Sequence, residues 1–174
     1  LTGTEMPDDI QRNPQILESL EAVRCQASVL MGIARDIGEA SRIPGIPKIA
    51  FLSPAQDMTT LAGETVSAAE CDILVRMISL GQPHRAIPVT GALCVAVAAR
   101  VDGSLVSRMF DTTRCGSELR LAHPSGVTNV DARLEQREGN WYAASVTIYR
   151  TARRLMDGYV YVPAARTPGL GERS

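Results

Sequence analysis

One segment in the middle of the chain restricts the fold more than any other part of the sequence. Residues 90–99 carry no charge, and after Thr90 and Gly91 every side chain is apolar and most are small. A helix without a polar face has to be covered by protein on all sides. We therefore predict a buried helix of about 15 Å, with the rest of the chain wrapped around it.

Two other stretches have the pattern of amphipathic helices. Asn13 followed by Pro14 predicts a helix start, because a capping side chain precedes a proline at the first helical position. Apolar residues then recur at helical spacing up to Gly32. They form the predicted apolar face: Ile16, Leu17, Leu20, Val23, Ala27 and Leu30. Ser67 and Glu70 have the spacing of a capping box and predict a second helix. Its predicted apolar face is Cys71, Leu74, Val75 and Ile78.

Most of the remaining sequence has the pattern of strands and turns. The predicted strands are residues 48–52 (short and buried), 118–122, 130–134, 142–148 and a last one around Val160 and Val162. The alternation in the third and fourth predicts a hairpin. Residues 41–47, with two prolines and a glycine, predict a loop, and residues 164–174 a flexible tail. The predicted fold class is α+β: a curved, mostly antiparallel sheet around a central buried helix, with the amphipathic helices outside.

The composition restricts the partners that we expect. The chain is 45% hydrophobic and 21% charged, with a formal net charge of -1. No block of like charges is present, so we expect no nucleic-acid and no membrane partner. The four cysteines include no CxxC pair, and with two histidines they give little support to a metal site. Free thiols are typical of a reducing compartment, which favours the cytoplasm.

The start of the buried helix is the first candidate site. The first amides of a helix lack acceptors, and the peptide dipoles leave partial positive charge there. A glycine in that turn lets a carboxylate approach the backbone. We therefore predict that Thr90, Gly91 and Ala92 bind a carboxylate. The alternative is that Thr90 only caps the helix and Gly91 only permits close packing.

Two loops supply further candidates. His123 precedes Pro-Ser-Gly, so its imidazole, the Ser125 hydroxyl and the amides up to Gly126 could bind one anion. The alternative is an ordinary turn between strands. His84, beside Arg85, could place a titratable ring and a cation near the helix start, or it could lie in a solvated loop.

The remaining reactive residues do not complete a catalytic site. Cys115 is followed by a strand-like pattern and not by a helix that would activate its thiol, so we interpret it as structural or incidental. Lys48, the one lysine of the chain, is interpreted as an edge residue that discourages aggregation. No Ser-His-Asp pattern, phosphate loop or dinucleotide fingerprint is present. The residues themselves thus predict a carboxylate-binding site without a convincing catalytic acid or base.

Several motifs occur together in an order that resembles a known family. They are Leu-Thr-Gly-Thr-Glu-Met-Pro from residue 1, Pro-Lys-Ile-Ala-Phe from 47, Pro-Val-Thr-Gly-Ala-Leu-Cys from 88, His-Pro-Ser-Gly from 123 and Thr-Ala-Arg-Arg-Leu-Met-Asp-Gly from 151. Residues 1–163 resemble the C-terminal half of PrpF isomerases, which act on methylaconitate, aconitate or 4-oxalomesaconate. The resemblance implies a fold similar to diaminopimelate epimerase, with two lobes and the substrate between them. The chain, which begins at Leu1, would then be a fragment that lacks the N-terminal lobe.

The resemblance also implies which lobe supplies the catalytic residues and which supplies substrate binding. The helix at Thr90 would be the central helix of the second lobe. Pro88 stands where the epimerase has a catalytic cysteine, which argues against a two-thiol mechanism. The family's acid/base lysine and cysteine belong to the first lobe, and neither Lys48 nor Cys94 matches their motifs. The implied reaction is a cofactor-independent allylic proton shift.

This chain would then contribute substrate binding and no catalytic residue. The binding residues we expect are Thr90, Gly91, Ala92, Ser125 and Gly126, with His84 and His123 as further candidates. One alternative is a non-catalytic lobe that binds a partner or self-associates through the surface meant for its missing half. Another is a stand-alone epimerase-like enzyme built from two copies, with histidines or cysteines as its acid and base.

Overall fold

The computed structural model describes residues 1–109, 118–163 and 166. The helices are α1 (Pro7–Gln11), α2 (Pro14–Leu30), α3 (Ile37–Arg42), α4 (Val89–Arg100) and α5 (Leu105–Met109). The strands are β1 (Ile49–Pro54), β2 (Met58–Thr59), β3 (Thr65–Val66), β4 (Ile73–Ser79), β5 (Gln82–Pro83), β6 (Leu119–His123), β7 (Gly126–Arg137) and β8 (Asn140–Ile148). Cys115 and, apart from Arg166, the predicted tail 164–174 lie outside the described residues.

The main sheet has the strand order β1-β4-β6-β7-β8, and β5 also pairs with β4. Its pairs are antiparallel except for β4 and β6, which run parallel. The predicted hairpin is present as β7 and β8, joined through Glu138 and Gly139 at positive φ. A register shift between Arg133 and Leu134 interrupts this pair, and such irregularities bend a sheet. The predicted α+β fold with a curved, mostly antiparallel sheet is confirmed.

Helix α4 lies against the concave face of this sheet, as predicted. It forms one hydrophobic core with β4, β6 and β7: Ile73, Val75, Ala92, Val95, Ala96, Ala99, Leu119, Leu121, Val130 and Ala132. The prediction of cover on all sides is wrong, because Thr90 and Cys94 are exposed. The sheet covers one side of the helix, and the described elements leave part of the other side open.

The prediction of a helix that begins at Ser67 is wrong. The chain forms strand β4 over Ile73–Ser79, in which every residue is buried. A central strand is covered on both faces and therefore needs a continuous apolar run, which looks like a helix segment in the sequence. The capping contact itself exists, since the Glu70 carboxylate accepts hydrogen bonds from the Ser67 amide and hydroxyl at 2.9 and 2.8 Å. It closes a turn without starting a helix.

Helix α2 begins and ends where predicted, but its predicted apolar stripe is not its most buried side. Arg24 is only 2% exposed, whereas Leu30 is 87% exposed. The guanidinium group of Arg24 explains this orientation. It donates to the carbonyls of Ala40, Ile43 and Ile46 at 2.8–3.2 Å, so the arginine side faces the protein.

Three further strand and loop predictions need correction. The predicted loop 41–47 begins inside α3, which ends at Arg42. Strand β1 is present, but it is half-buried, whereas the prediction was a buried strand. The predicted last strand at Val160 and Val162 is absent, because residues 149–163 form neither helix nor strand and are exposed. A strand needs a neighbouring edge, and none of the described strands accepts this segment.

Candidate functional site

The N-terminus of α4 presents unbonded amides. Pro88 is the N-cap residue, has extended backbone angles and supplies no capping side chain. The amide of Ala92 donates to the Pro88 carbonyl at 2.9 Å, so it is not available to a ligand. The three amides before it, from Val89 to Gly91, have no acceptor in the helix. Thr90 is exposed at this end and adds a hydroxyl group.

Gly91 is fixed by its contact with strand β4. A Cβ atom at this position would overlap the Sδ and Cε atoms of Met77. The glycine therefore lets the helix start approach the strand closely, as the packing alternative predicts. The same close approach makes Met77 a wall of the space in front of the helix.

A pocket of about 340 Å³ lies beside the helix start. Its lining residues are Ile46, Pro47, Lys48, Met77, Thr90, Gly91 and Cys94. Lys48 precedes β1, and its ammonium group donates to the Ser79 hydroxyl at 3.3 Å. The β1–β4 register places Ala50 opposite Met77, so alternate residues such as Lys48 lie on the face that carries α4. Our interpretation of Lys48 as an edge residue overlooked this position next to Thr90.

His84 lies near the same cation. Its backbone amide donates to the Met77 carbonyl at 2.8 Å, which extends the pairing of β5 with β4. The Nε2 atom of its ring is buried and has no hydrogen-bond partner among the described residues. Burial and the positive charge of Lys48 both lower the pKa of His84. The structure therefore brings the imidazole of His84 close to the ammonium group of Lys48.

The turn at His123 has its polar groups engaged within the protein. His123 Nε2 lies 2.9 Å from the Thr128 hydroxyl, and Nδ1 accepts from the Ser125 amide at 3.2 Å. Burial and then the charge of Arg76 lower the pKa of His123 to about 4, so the ring is neutral at pH 7. The Ser125 hydroxyl donates to the Arg85 carbonyl at 2.7 Å. Neither residue lines the pocket at Thr90, and Ser125 instead fixes the loop that leads into α4.

Within residues 1–109, 118–163 and 166, no group of three or more His, Cys, Asp or Glu side chains could hold a metal ion. In the same part of the chain no helix has the length and apolarity to cross a membrane.

Sequence comparisons identify relatives of this chain. The chain is 37% identical over 165 residues to the 2-methyl-aconitate isomerase of Shewanella oneidensis, which covers 93% of this chain and 41% of the relative. It is 33% identical over 168 residues to the 3-methylitaconate isomerase of Eubacterium barkeri, covering 95% of the chain and 43% of the relative. The chain thus spans about two fifths of the length of these relatives.

A solved structure and a family model agree with these relatives. The crystal structure of a methylitaconate-delta-isomerase superposes with a TM-score of 0.77 at 35% identity, covering 95% of this chain and 42% of that one. The fold is therefore the diaminopimelate epimerase-like fold of that enzyme. The family model described as PrpF protein matches residues 1–163. Because this match covers nearly the whole chain, the chain belongs to the PrpF family.

Proposed function

We propose that this chain is the substrate-binding half of an isomerase that moves a double bond in an unsaturated di- or tricarboxylate. The relatives named for such isomerases align along nearly the whole chain and are more than twice as long. The proposed substrate is of the methylaconitate, aconitate or 4-oxalomesaconate type. Residues 1–163 are the proposed second lobe, and a missing N-terminal lobe is the proposed partner that completes the enzyme.

The observation that carries this proposal is the pairing of a free helix N-terminus with Lys48 in one pocket. Carboxylate oxygens can accept hydrogen bonds from the amides of Thr90 and Gly91 and from the Thr90 hydroxyl. The helix dipole contributes about 0.3–2 kcal/mol per charge. The ammonium group of Lys48, in the same pocket, can pair with the same substrate group. Lys48 therefore joins Thr90 and Gly91 in the proposed site, and Ala92, whose amide is already bonded, does not.

The proposed reaction needs only a proton transfer. A base of the other lobe removes a proton from the carbon allylic to the double bond, and the electron pair spreads into a dienolate. The double bond shifts, and a proton returns at the far end of the allylic system. Negative charge grows on the carboxylate-bearing end during this step, so the donors of this chain bind the dienolate more strongly than the substrate. No cofactor takes part in this scheme.

We also place this reaction in the cytoplasm. Cys25, Cys71 and Cys94 are free thiols, which are typical of proteins in a reducing compartment.

Joining the chain to a partner lobe tests the proposal. The part of the Shewanella oneidensis isomerase that this chain does not align with would be fused to it, giving a joined protein. We expect the joined protein to isomerise at least one of 2-methylaconitate, aconitate and 4-oxalomesaconate, followed by proton NMR. A joined protein that folds, as judged by circular dichroism and a cooperative melt, but converts none of the three acids would refute the proposal.

A matched pair of variants tests the role of the helix start. Thr90→Val removes the hydroxyl and should raise KM and lower kcat of the joined protein, together by about tenfold, the effect of one hydrogen bond to a charged group. Thr65→Val, at an exposed position in β3, is the control and should change neither constant. Equal effects of the two substitutions would argue against binding at Thr90.

A further inference from the structure

A second pocket, of about 550 Å³, lies between helix α2 and the sheet. Its apolar walls come from α2, from the loop after α3 and from the ends of β1 and β4: Leu17, Pro44, Ile49, Ile78 and Leu80. Small-molecule sites in proteins have volumes of about 300–1,000 Å³ and are mostly apolar, with a few polar groups that orient the ligand. The pocket has the size and the lining of such a site.

This pocket and the pocket at Thr90 lie on opposite faces of the sheet. Met77 of β4 contacts α4 at Gly91, so its side chain lies on the face that carries α4. Ile78 is the next residue of β4 and pairs with Ile49, so these two side chains point to the other face. The two pockets share no lining residue. A ligand of the second pocket would therefore occupy a space of its own.

The rim of the second pocket includes a residue in an unfavourable backbone conformation. Leu80, in the tight turn between β4 and β5, has a φ angle of 53°. Bulky residues rarely adopt this left-handed conformation, and such exceptions occur mainly at functional sites. The Leu80 side chain is nevertheless 62% exposed. The turn thus presents to the pocket an apolar side chain that a ligand would cover.

The charged side chains that line the pocket favour a cation. They are two carboxylates, Glu18 and Glu21, and one guanidinium, Arg24, so their net charge is -1. The Nε and Nη2 atoms of Arg24 donate to the Glu21 carboxylate at 2.7 and 2.6 Å, and Arg24 also donates to three backbone carbonyls. The positive charge of Arg24 is thus balanced by Glu21. The negative charge of Glu18 remains for a ligand.

We propose that this pocket is a second ligand site, which binds a small molecule with an apolar body and one protonated amino group. The apolar body would lie against Ile49, Ile78 and Leu80. The ammonium group would donate to the carboxylates of Glu18 and Glu21. An anion of the same shape would be repelled, so the site selects its ligand by charge. The proposal does not depend on the proposed isomerase activity.

NMR titration with two probes of equal length tests the proposal. The ¹⁵N-labelled chain would be titrated at pH 7 with hexylamine, which is protonated, and separately with hexanoate. We expect saturable shifts of the Leu17, Ile78 and Gly81 amide resonances with hexylamine. The expected Kd is about 1 mM, an ordinary affinity for a ligand of about seven non-hydrogen atoms. Hexanoate should bind at least about tenfold more weakly, because the attraction becomes a repulsion.

Two charge variants provide a matched control. Glu18→Gln should weaken hexylamine binding about threefold, the usual effect of one exposed ion pair. Glu64→Gln removes the same charge from an exposed position before β3 and should leave the Kd unchanged. Leu17→Trp fills the pocket and should abolish the shifts, with circular dichroism to check that the variant folds.

Four outcomes would overturn the proposal. One is the absence of saturable shifts at the lining residues, and another is equal affinity for hexylamine and hexanoate. A third is an equal effect of Glu18→Gln and Glu64→Gln, which would show that only the overall charge of the chain matters. The fourth is loss of hexylamine binding in the joined protein, which would identify the other lobe as the occupant of this pocket.

Discussion

Lys48 donates a 3.3 Å hydrogen bond from its ammonium group to the hydroxyl of Ser79, one residue beyond the paired part of β1 and β4. This contact directs the one lysine of the chain toward the pocket in front of α4. The cation thus lies beside the free amides at Thr90. The backbone amides at the start of α4 and the ammonium group of Lys48 together form a positive site.

The first prediction concerns the charge of Lys48. Lys48→Met should raise the KM of the joined protein by about tenfold, because a charge-assisted hydrogen bond to the substrate carboxylate is lost. Lys48→Arg keeps the charge and should recover most of the affinity. Steady-state kinetics at two ionic strengths would check this. An unchanged KM for Lys48→Met would remove the lysine from the site.

The second prediction concerns Arg24, which bonds to Ile46, a residue that lines the same pocket. Its guanidinium group bonds the Ile46 carbonyl, next to Pro47 and Lys48. Arg24→Leu removes the donor to the buried Ala40 carbonyl and to the part-buried bonds at Ile43 and Ile46, and should lower the free energy of unfolding by about 2–4 kcal/mol. The control Arg35→Leu breaks an exposed pair and should cost less than about 1 kcal/mol. Urea denaturation measures both, and similar losses would contradict the structural role of Arg24.

The third prediction concerns the pH dependence of stability. The pKa of His123 is lowered to about 4 in the folded chain from an ordinary value of 6.5. The unfolded chain therefore binds the additional proton between these values. The stability that the neutral ring provides is complete above pH 6.5 and falls as the pH drops toward 4, by at most about 1.4 kcal/mol per pH unit.

The variant His123→Asn isolates this contribution. The asparagine keeps an acceptor for the Ser125 amide but does not titrate. Its free energy of unfolding should fall less steeply than that of the unmodified chain between pH 6.5 and 4. Parallel curves over this range would contradict a neutral, buried His123.

The fourth prediction concerns the contact between Gly91 and Met77. Gly91→Ala places a methyl group where the Met77 sulfur lies, so the flexible end of Met77 must move, and this cost should cancel the gain of about 1 kcal/mol that alanine normally brings to a helix. Met77→Ala removes the obstacle, so the two changes together should cost clearly less than their sum. Thermal or urea unfolding of the three variants gives this comparison. Strict additivity would show that the two residues do not contact each other.

The parts of the fold that local pattern determines were predictable from the sequence. The apolar run that follows Thr90 and Gly91 predicted the central helix, and the alternation around Val130 and Val146 predicted the β7–β8 hairpin. Both patterns depend on neighbours along the chain. Strand β4 was missed because a continuous apolar run has the same composition in a buried strand and in a buried helix.

The features that depend on distant pairing were not predictable. Lys48 faces the pocket because of the register between β1 and β4, and a shift of one residue would turn it to the other face. Arg24 takes the buried side of α2 because carbonyls from the loop beyond α3 lie there. The strand pattern around Val160 and Val162 was recognised, but the segment forms no strand, because none of the described strands pairs with it.

The amides at the start of α4 provide the most direct test of the account. The ¹⁵N-labelled chain would be titrated with cis-aconitate to concentrations of about 10 mM, which detects binding in the millimolar range. We predict saturable shifts of the Thr90 and Gly91 amide resonances that are much weaker in Lys48→Met. Absent shifts at these two residues would contradict a carboxylate site at this helix start, and shifts that persist unchanged in Lys48→Met would remove Lys48 from the site.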